Sequence, residues 1–305
     1  MHNHNHARDG HSNGVPSRLN RAFMVGIALN SAFVLAEFLA GVFANSLALI
    51  ADAGHNLSDV LGLLLAWGAA TLARRLPSER FTYGLRSSTI LAALGNAGFL
   101  LLVTGAIGWE AVLRFGNPHP VNQVMVIWVA SVGVVIHAAT AILFMSGRKT
   151  DLNVRGAFLH MAADAAVSLG VVLAGLGMLA TGWTWLDPAI SLAIAAVIVI
   201  STWSLLRESL GLALHAVPKG VDPAAVRRWL SELPGVSEVH DLHIWAMSTT
   251  ETALTAHLVM PAGHPGDAFL AKIGHEIGHL FKIGHVTLQV EIAQDPCVLA
   301  PDHVV

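Results

Sequence analysis

The chain has 305 residues, of which 54% are hydrophobic and only 12% charged, with a formal net charge of −3. About a quarter of the residues of an ordinary soluble domain are charged, so most of this chain is not built to face water, and no basic patch with interleaved aromatics offers a footing for nucleic acid. The single cysteine, Cys297, excludes an intramolecular disulfide framework and suits a reducing compartment.

The first 20 residues are polar and carry His2, His4, His6 and His11 among small and polar neighbours. Nothing there can build a core, so the segment is expected to be disordered when free. It reads either as a weak metal collector or as a spacer, and it has no cleavable signal pattern.

Six apolar runs follow, at about 21–44, 47–73, 88–113, 123–145, 157–181 and 187–210. Each approaches or exceeds the roughly 20 residues that a helix needs to cross a bilayer. Helices are the expectation, because hydrocarbon leaves unpaired backbone groups without partners. An even number of crossings places both termini on one side. Arg18, Arg21, Arg74, Arg75, Arg80, Arg86, Arg148, Lys149, Arg155 and Arg207 fall near one set of loop ends, and only Arg114 near the other. The excess of Lys and Arg on cytoplasmic loops makes both termini cytoplasmic.

Two of these runs carry the same H-x-x-x-D pattern, His55 with Asp59 and His160 with Asp164. A spacing of four puts both side chains of a pair on one helix face. An Asp at a helix centre in a membrane costs about 2.5–3.5 kcal/mol on insertion scales, so such residues read as functional. Two imidazoles and two carboxylates turned toward each other form a ligand set suited to tetrahedral Zn²⁺. Zn²⁺ needs neutral imidazole and ionised carboxylate, so metal and protons compete for these four groups. Asp52, one turn before His55, is a candidate supporting partner or access-path carboxylate. Glu37 could serve either role or be structural, and His137, alone in its run, reads as an interhelical contact.

After His215 the composition changes. The expected elements are a helix at 222–233, strands at 236–247 and 251–260, a helix at 267–281 and a strand at 286–292. That αββαβ order suggests a small open-faced α+β sandwich. His240 and His243 are three apart and face opposite ways in a regular strand, so they share a metal only if a bulge intervenes. His275, Glu276 and His279 match H-E-x-x-H, with His285 at the spacing of a third zinc ligand. Lys282 stands where the extended zinc-protease pattern wants Gly. A membrane-anchored zinc protease is therefore a competing reading, and a metal sensor without transport is another.

The stretch from Ser46 to His55 with Asp59, the stretch from Leu152 to His160 with Asp164, and the segments 239–245 and 285–291 resemble the cation diffusion facilitator family, in particular its bacterial zinc, cadmium and cobalt efflux members. The resemblance covers about 20–295. It implies a homodimer that exports metal in exchange for protons; the expected cargo is Zn²⁺, with Cd²⁺ and then Co²⁺ as further ions, and the expected location the inner (plasma) membrane. It implies a six-helix, all-α transmembrane domain at 21–214 and a cytoplasmic ferredoxin-like domain at 215–295, flanked by tails at 1–20 and 296–305. It places the transport site at His55, Asp59, His160 and Asp164, with His55 resembling the zinc-selective branch. Metal in the cytoplasmic domain would sit at His240, His257 and Glu291, with His285 at a position whose role varies. Gln289 stands where some members carry a ligand His. Arg86 matches a basic position that members pair with an acid after the last span, for which His215 or Glu208 are the nearest counterparts here.

Overall fold

The structure is a computed structural model that describes residues 17–117, 119–145, 152–292 and 297, with the backbone alone for 17–30, 152–154 and 157. The N-terminal histidine run and the end of the chain other than Cys297 lie outside the described residues. The helices are α1 (Ser17–Ala44), α2 (Leu47–Ala73), α3 (Ser88–Gly116), α4 (Gln123–Phe144), α5 (Leu152–Thr181) and α6 (Leu186–Ala213), followed by α7 (Pro223–Ser231) and α8 (Asp267–Phe281). Three strands complete the chain, β1 (Glu238–Ala246), β2 (Thr252–Val259) and β3 (His285–Glu291).

The first six helices lie where the apolar runs put them. Helices α2, α3, α4, α6 and the Phe158–Thr181 part of α5 are long and apolar enough to cross a membrane, and α1 adds a shorter apolar stretch, Ser31–Ala44. Helix α5 starts five residues before its apolar run, and α3 ends three residues after its own. Hydropathy marks the part that can meet lipid, whereas the helix ends where backbone bonding ends. At the end of α3, Arg114 donates to Glu110 at 3.1 Å and to the Asn45 carbonyl at 2.8 Å, which suits a cation in a last helical turn. Large apolar side chains such as Trp67, Leu102, Trp109, Trp128 and Ile200 point outward. A helix bundle in hydrocarbon presents such a surface, since it has no reason to hide it.

The chain divides into two compact units, residues up to Val60 with Val103–Ile198, and Leu61–Leu102 with Val199 onward. In the first unit, α4 packs against both α1 and α5. Gly175 permits the α4–α5 approach, because a Cβ there would come within 2.8 Å of Ile127 Cγ1. The start of α2 is held from across the chain. Asp187, fully buried near the start of α6, accepts from Ser46 Oγ at 2.5 Å, from the Leu47 amide at 2.8 Å and from the Ala48 amide at 3.4 Å. Ser46 Oγ in turn accepts from the Leu49 amide at 3.3 Å. The amides that a helix start leaves unpaired are thus satisfied without water, and the carboxylate complements the positive end of the helix dipole.

In the second unit the sheet order is β1-β2-β3, with β1 and β2 antiparallel and β2 and β3 parallel through α8. Val226 and Leu230 of α7 and Ile273 and Ile277 of α8 join Val239, Ile244, Leu254, Ala256 and Leu258 of the sheet in one core. Asp222 caps α7 by accepting from the Ala224 amide at 3.0 Å, with Pro223 as its first residue. In β2 the alternation sends 254, 256 and 258 to the helices and His257 to the opposite face. β1 and β2 are shorter than the sequence suggests, at their facing ends because 247–251 forms the turn between them, closed by the Met247 amide to the Glu251 carbonyl at 2.9 Å, whereas β3 keeps its expected length one residue earlier.

A bulge interrupts β1. His240 pairs with His257 but His243 pairs with Thr255, so β1 spends one more residue than β2 over this stretch. Asp241 takes a left-handed backbone, φ 50°, which Asp tolerates better than most residues. The extra residue shifts the phase of the strand, so Val239 and Ile244 both reach the core although they are an odd number apart. By the same shift His240 and His243 leave on the same face, the opposite of what a regular strand dictates.

Arg86 does not meet Glu208 or His215. Its guanidinium lies 2.6 Å from Glu251 at the start of β2, while Glu208 pairs with Lys219 at 2.6 Å. Ser87 Oγ donates to the Met247 carbonyl and the Thr249 amide to Thr89 Oγ1, so the Arg86 segment is tied to the β1–β2 turn instead.

Candidate metal centres

Helices α2 and α5 each present one H-x-x-x-D pair, and the pairs face each other. Within a pair, His55 Nε2 is 3.9 Å from Asp59 Oδ2 and His160 Nε2 is 3.7 Å from Asp164 Oδ2. Between helices, His160 Nε2 is 3.1 Å from Asp59 Oδ2 and His55 Nε2 is 3.6 Å from Asp164 Oδ1. Each imidazole therefore meets both carboxylates. A tetrahedral Zn²⁺ with bonds of roughly 2.0–2.1 Å separates its ligand atoms by roughly 3.3–3.4 Å. The four separations bracket that value but use both oxygens of Asp164, and Asp59, His160 and Asp164 place their ligand atoms within 4.8 Å of one another while His55 stands at the edge of that group, its ring close to perpendicular to that of His160 with centroids 6.1 Å apart. Asp164 is 2% exposed and His160 43%, so one side of the cluster is sealed and the other open.

Asp52 is fully buried one turn before His55, but it does not hold the imidazole. It accepts from Ser168 Oγ at 2.9 Å, and His55 Nδ1 makes no hydrogen bond. Asp52 therefore belongs to a polar layer one turn along α2 and α5 from the candidate ligands. In that layer Asn56 donates to Glu37 of α1 at 3.4 Å, both fully buried. His137 is fully buried, edge-on to Phe33 with centroids 5.8 Å apart, and makes no hydrogen bond. The interhelical bond expected of it is not made.

The second cluster is on the face of the sheet away from the helices. His240 and His257 are direct cross-strand partners, and Glu291 is one step diagonal from His257. His257 Nδ1 is 2.9 Å from Glu291 Oε1, and His240 Nε2 is 3.3 Å from Glu291 Oε2. The rings of His240 and His257 are 5.3 Å apart. Cys297 joins them, with Sγ 3.9 Å from His257 Nδ1, and the four residues can place their ligand atoms within 4.8 Å of one another. Burial would raise the Glu291 carboxyl, but the Cys297 thiol, His240, Gln289 and His257 together hold it below its usual value.

The sequence gives little warning of Asp241. The bulge aims its carboxylate at two imidazoles, 3.2 Å from His257 Nε2 and 2.7 Å from His243 Nε2. A carboxylate on the far nitrogen fixes the tautomer of His257 and leaves Nδ1 free to bind metal. His243 is diverted to this contact and does not enter the cluster, although the bulge puts it on the same face.

His285 is also absent from the cluster, contrary to expectation. It sits at the opposite end of β3 from Glu291, about 20 Å away along an extended strand, with its ring against Tyr83 at 5.6 Å. Nor does it meet the H-E-x-x-H helix. His275 and His279 lie side by side on α8, their rings tilted by 45° with centroids 5.2 Å apart, and among the described residues they join no group of three or more possible ligands.

Comparison with known proteins bears on both centres. The family model for the cation efflux transmembrane domain matches residues 23–212, and that for the cytoplasmic domain of cation efflux proteins matches 218–293. The chain is 37% identical over 289 residues to the metal cation efflux system protein CzcD of Cupriavidus metallidurans, covering 94% of this chain and 91% of that protein. It is 36% identical over 299 residues to the zinc transporter ZitB of Escherichia coli, covering 97% and 93%. It is 33% identical over 297 residues to a cadmium, cobalt and zinc/H⁺–K⁺ antiporter of Bacillus velezensis, covering 96% and 92%. None of these is a protease or is named as a sensor. With both family models matched in order over nearly its whole length, the chain is a multi-pass membrane protein that belongs to the cation efflux, or cation diffusion facilitator, family.

Proposed function

We propose that this protein exports Zn²⁺ from the cytoplasm in exchange for protons, and that it accepts Cd²⁺ and Co²⁺ by the same route. The observation that carries this reading is the closed ring of His55, Asp59, His160 and Asp164, in which each imidazole lies 3.1–3.9 Å from both carboxylates. Two imidazoles and two carboxylates suit a tetrahedral borderline ion, with Asp59, His160 and Asp164 already converged and His55 at the edge of the group. The names of its relatives point to the same cargo and, in one case, to protons as counter-ion. Zn²⁺ binds the deprotonated forms of these side chains, and protons displace it. One set of ligands can therefore carry metal outward and protons inward if it faces the two sides in turn.

In this reading α1 completes a bundle of six spans at 21–214, and both termini lie in the cytoplasm at the inner (plasma) membrane. Residues 215–295 form a ferredoxin-like domain that joins two copies into a homodimer, a role supported by the match to the family's cytoplasmic domain. His240, His257 and Glu291 hold a resident Zn²⁺ in that domain. The two imidazole nitrogens and the carboxylate converge, and both ring nitrogens of buried His240 lack a hydrogen bond among the described residues, as a metal ligand's would. The test is Zn²⁺ uptake into proteoliposomes under an imposed pH gradient. Uptake that a protonophore abolishes supports the exchange, and uptake indifferent to the gradient overturns it.

A further inference from the structure

We propose that Cys297 is the fourth ligand of the cytoplasmic centre, closing a two-nitrogen, one-oxygen, one-sulfur set around a single Zn²⁺ or Cd²⁺. The inference rests on the reading of His240, His257 and Glu291 as a metal site and adds a residue that gives the site its chemical preference. Three donors leave a tetrahedral ion one position short. Such a position is filled by water in an open site and by a side chain in a closed one.

The geometry points to the thiol. Cys297 Sγ is 3.9 Å from His257 Nδ1, beside the 2.9 Å and 3.3 Å separations of the imidazoles from Glu291. Ligand atoms around a tetrahedral Zn²⁺ with one Zn–S bond of roughly 2.3 Å lie roughly 3.3–3.6 Å apart. All four ligand atoms already lie within 4.8 Å of one another, so side-chain adjustment without backbone rearrangement brings them onto one ion. Two further features face the same point. His240 is 4% exposed and neither ring nitrogen has a hydrogen bond. His257 is fixed by Asp241 in the tautomer that leaves Nδ1 toward the thiol. Without metal the thiol faces His257 Nδ1 at 3.9 Å. When the ion enters, the S–H proton passes to solvent and the sulfur–metal bond takes its place. A thiolate favours soft ions, so the site discriminates Cd²⁺ and Zn²⁺ from harder divalent ions more sharply than His240, His257 and Glu291 alone.

The composition supplies an unambiguous test. Cys297 is the sole cysteine of the chain, so any thiolate-to-metal charge transfer must come from it. The full-length protein in detergent is titrated with Co²⁺, alongside Cys297→Ser and His240→Ala, with bound metal counted per chain. The expected result is a near-ultraviolet charge-transfer band in the wild type that is lost in both variants. Cys297→Ser should retain cobalt more weakly, with Cd²⁺ affinity falling further than Zn²⁺ affinity. Wild-type protein whose cobalt count falls by one in His240→Ala, yet shows no charge-transfer band, overturns the assignment of Cys297 while leaving the three-residue site standing. An unchanged count in His240→Ala overturns the site itself and the thiol ligand with it.

Discussion

Replacing Asp187 should weaken the proposed transport site without touching any of its proposed ligands. Its carboxylate is fully buried and holds the first turn of α2 through Ser46 Oγ at 2.5 Å and the Leu47 amide at 2.8 Å. Hydrogen bonds to a charged group contribute about 1.5–3 kcal/mol each, and a buried donor left unpaired costs about 1–3 kcal/mol. Against this stands the relief of removing a buried carboxylate. Asp187→Ala should therefore destabilise the protein by about 2–4 kcal/mol. For a unit of this size, 1 kcal/mol moves the melting temperature by about 2–4 °C, so the expected drop is about 4–16 °C. Asp187→Asn keeps one acceptor oxygen and should lose about half as much. His55 and Asp59 lie about two and three turns further along α2, so fraying at its start lowers Zn²⁺ affinity as well as stability. The assay is thermal unfolding of the purified protein in detergent, with zinc affinity measured below the transition. An Asp187→Ala protein that melts within 1–2 °C of the wild type, a margin roughly equal to half a kcal/mol, would refute the reasoning that this carboxylate is the cap of α2.

Asp241→Ala should weaken metal binding at the cytoplasmic cluster by about 10–100-fold, the usual effect of removing a carboxylate that orients a ligand histidine; competition with a chromophoric chelator measures it. Asp241→Asn keeps the left-handed backbone comfortable and should be the milder change. Arg86→Ala removes a pair whose two side chains are 37% and 44% exposed, so it should shift stability by less than about 1 kcal/mol; a melting curve at low and at high salt checks this. In metal-free protein, acid should loosen the sheet end that carries Glu291. Its carboxyl is held below the usual 4.5, so the unfolded chain binds its proton more readily. That contribution is complete above the unfolded value and is lost as pH falls through the lower folded one. Glu291→Gln should remove this part of the pH dependence, as followed by hydrogen exchange of β3 amides.

The approach of His55, Asp59, His160 and Asp164 was legible because its chemistry is local. A four-residue spacing fixes two side chains on one helical face whatever the tertiary structure, and the pattern occurs twice. The helices were legible because hydrocarbon permits little else. What the sequence hid depends on contacts between distant segments. Asp187 reads as a polar residue at the start of a span, and nothing in its neighbourhood announces that it caps α2 some 140 residues earlier in the chain. The role of Asp241 depends on a one-residue bulge, which alternation patterns do not register. Cys297 sits between Pro296 and Val298 in a stretch with no helix or strand periodicity, and its nearness to His257 is a contact across 40 residues that no local pattern announces. His285 illustrates the converse. Its type and spacing suggest a ligand, but strand geometry carries it to the far end of β3 from Glu291. Arg86 likewise has an acid partner, Glu251, supplied by the β1–β2 turn.

The most direct test of the central claim is Zn²⁺ flux in proteoliposomes under a pH gradient for the wild type, His55→Ala and Asp164→Ala, each first shown to be folded. In the ring each of these residues contacts both members of the opposite type, so either change removes one ligand and two contacts. The account predicts proton-driven flux in the wild type and background flux in both variants. Flux that survives either substitution at the wild-type rate would mean that the ion crosses elsewhere, and would contradict the assignment of the His55–Asp59–His160–Asp164 ring as the transport site.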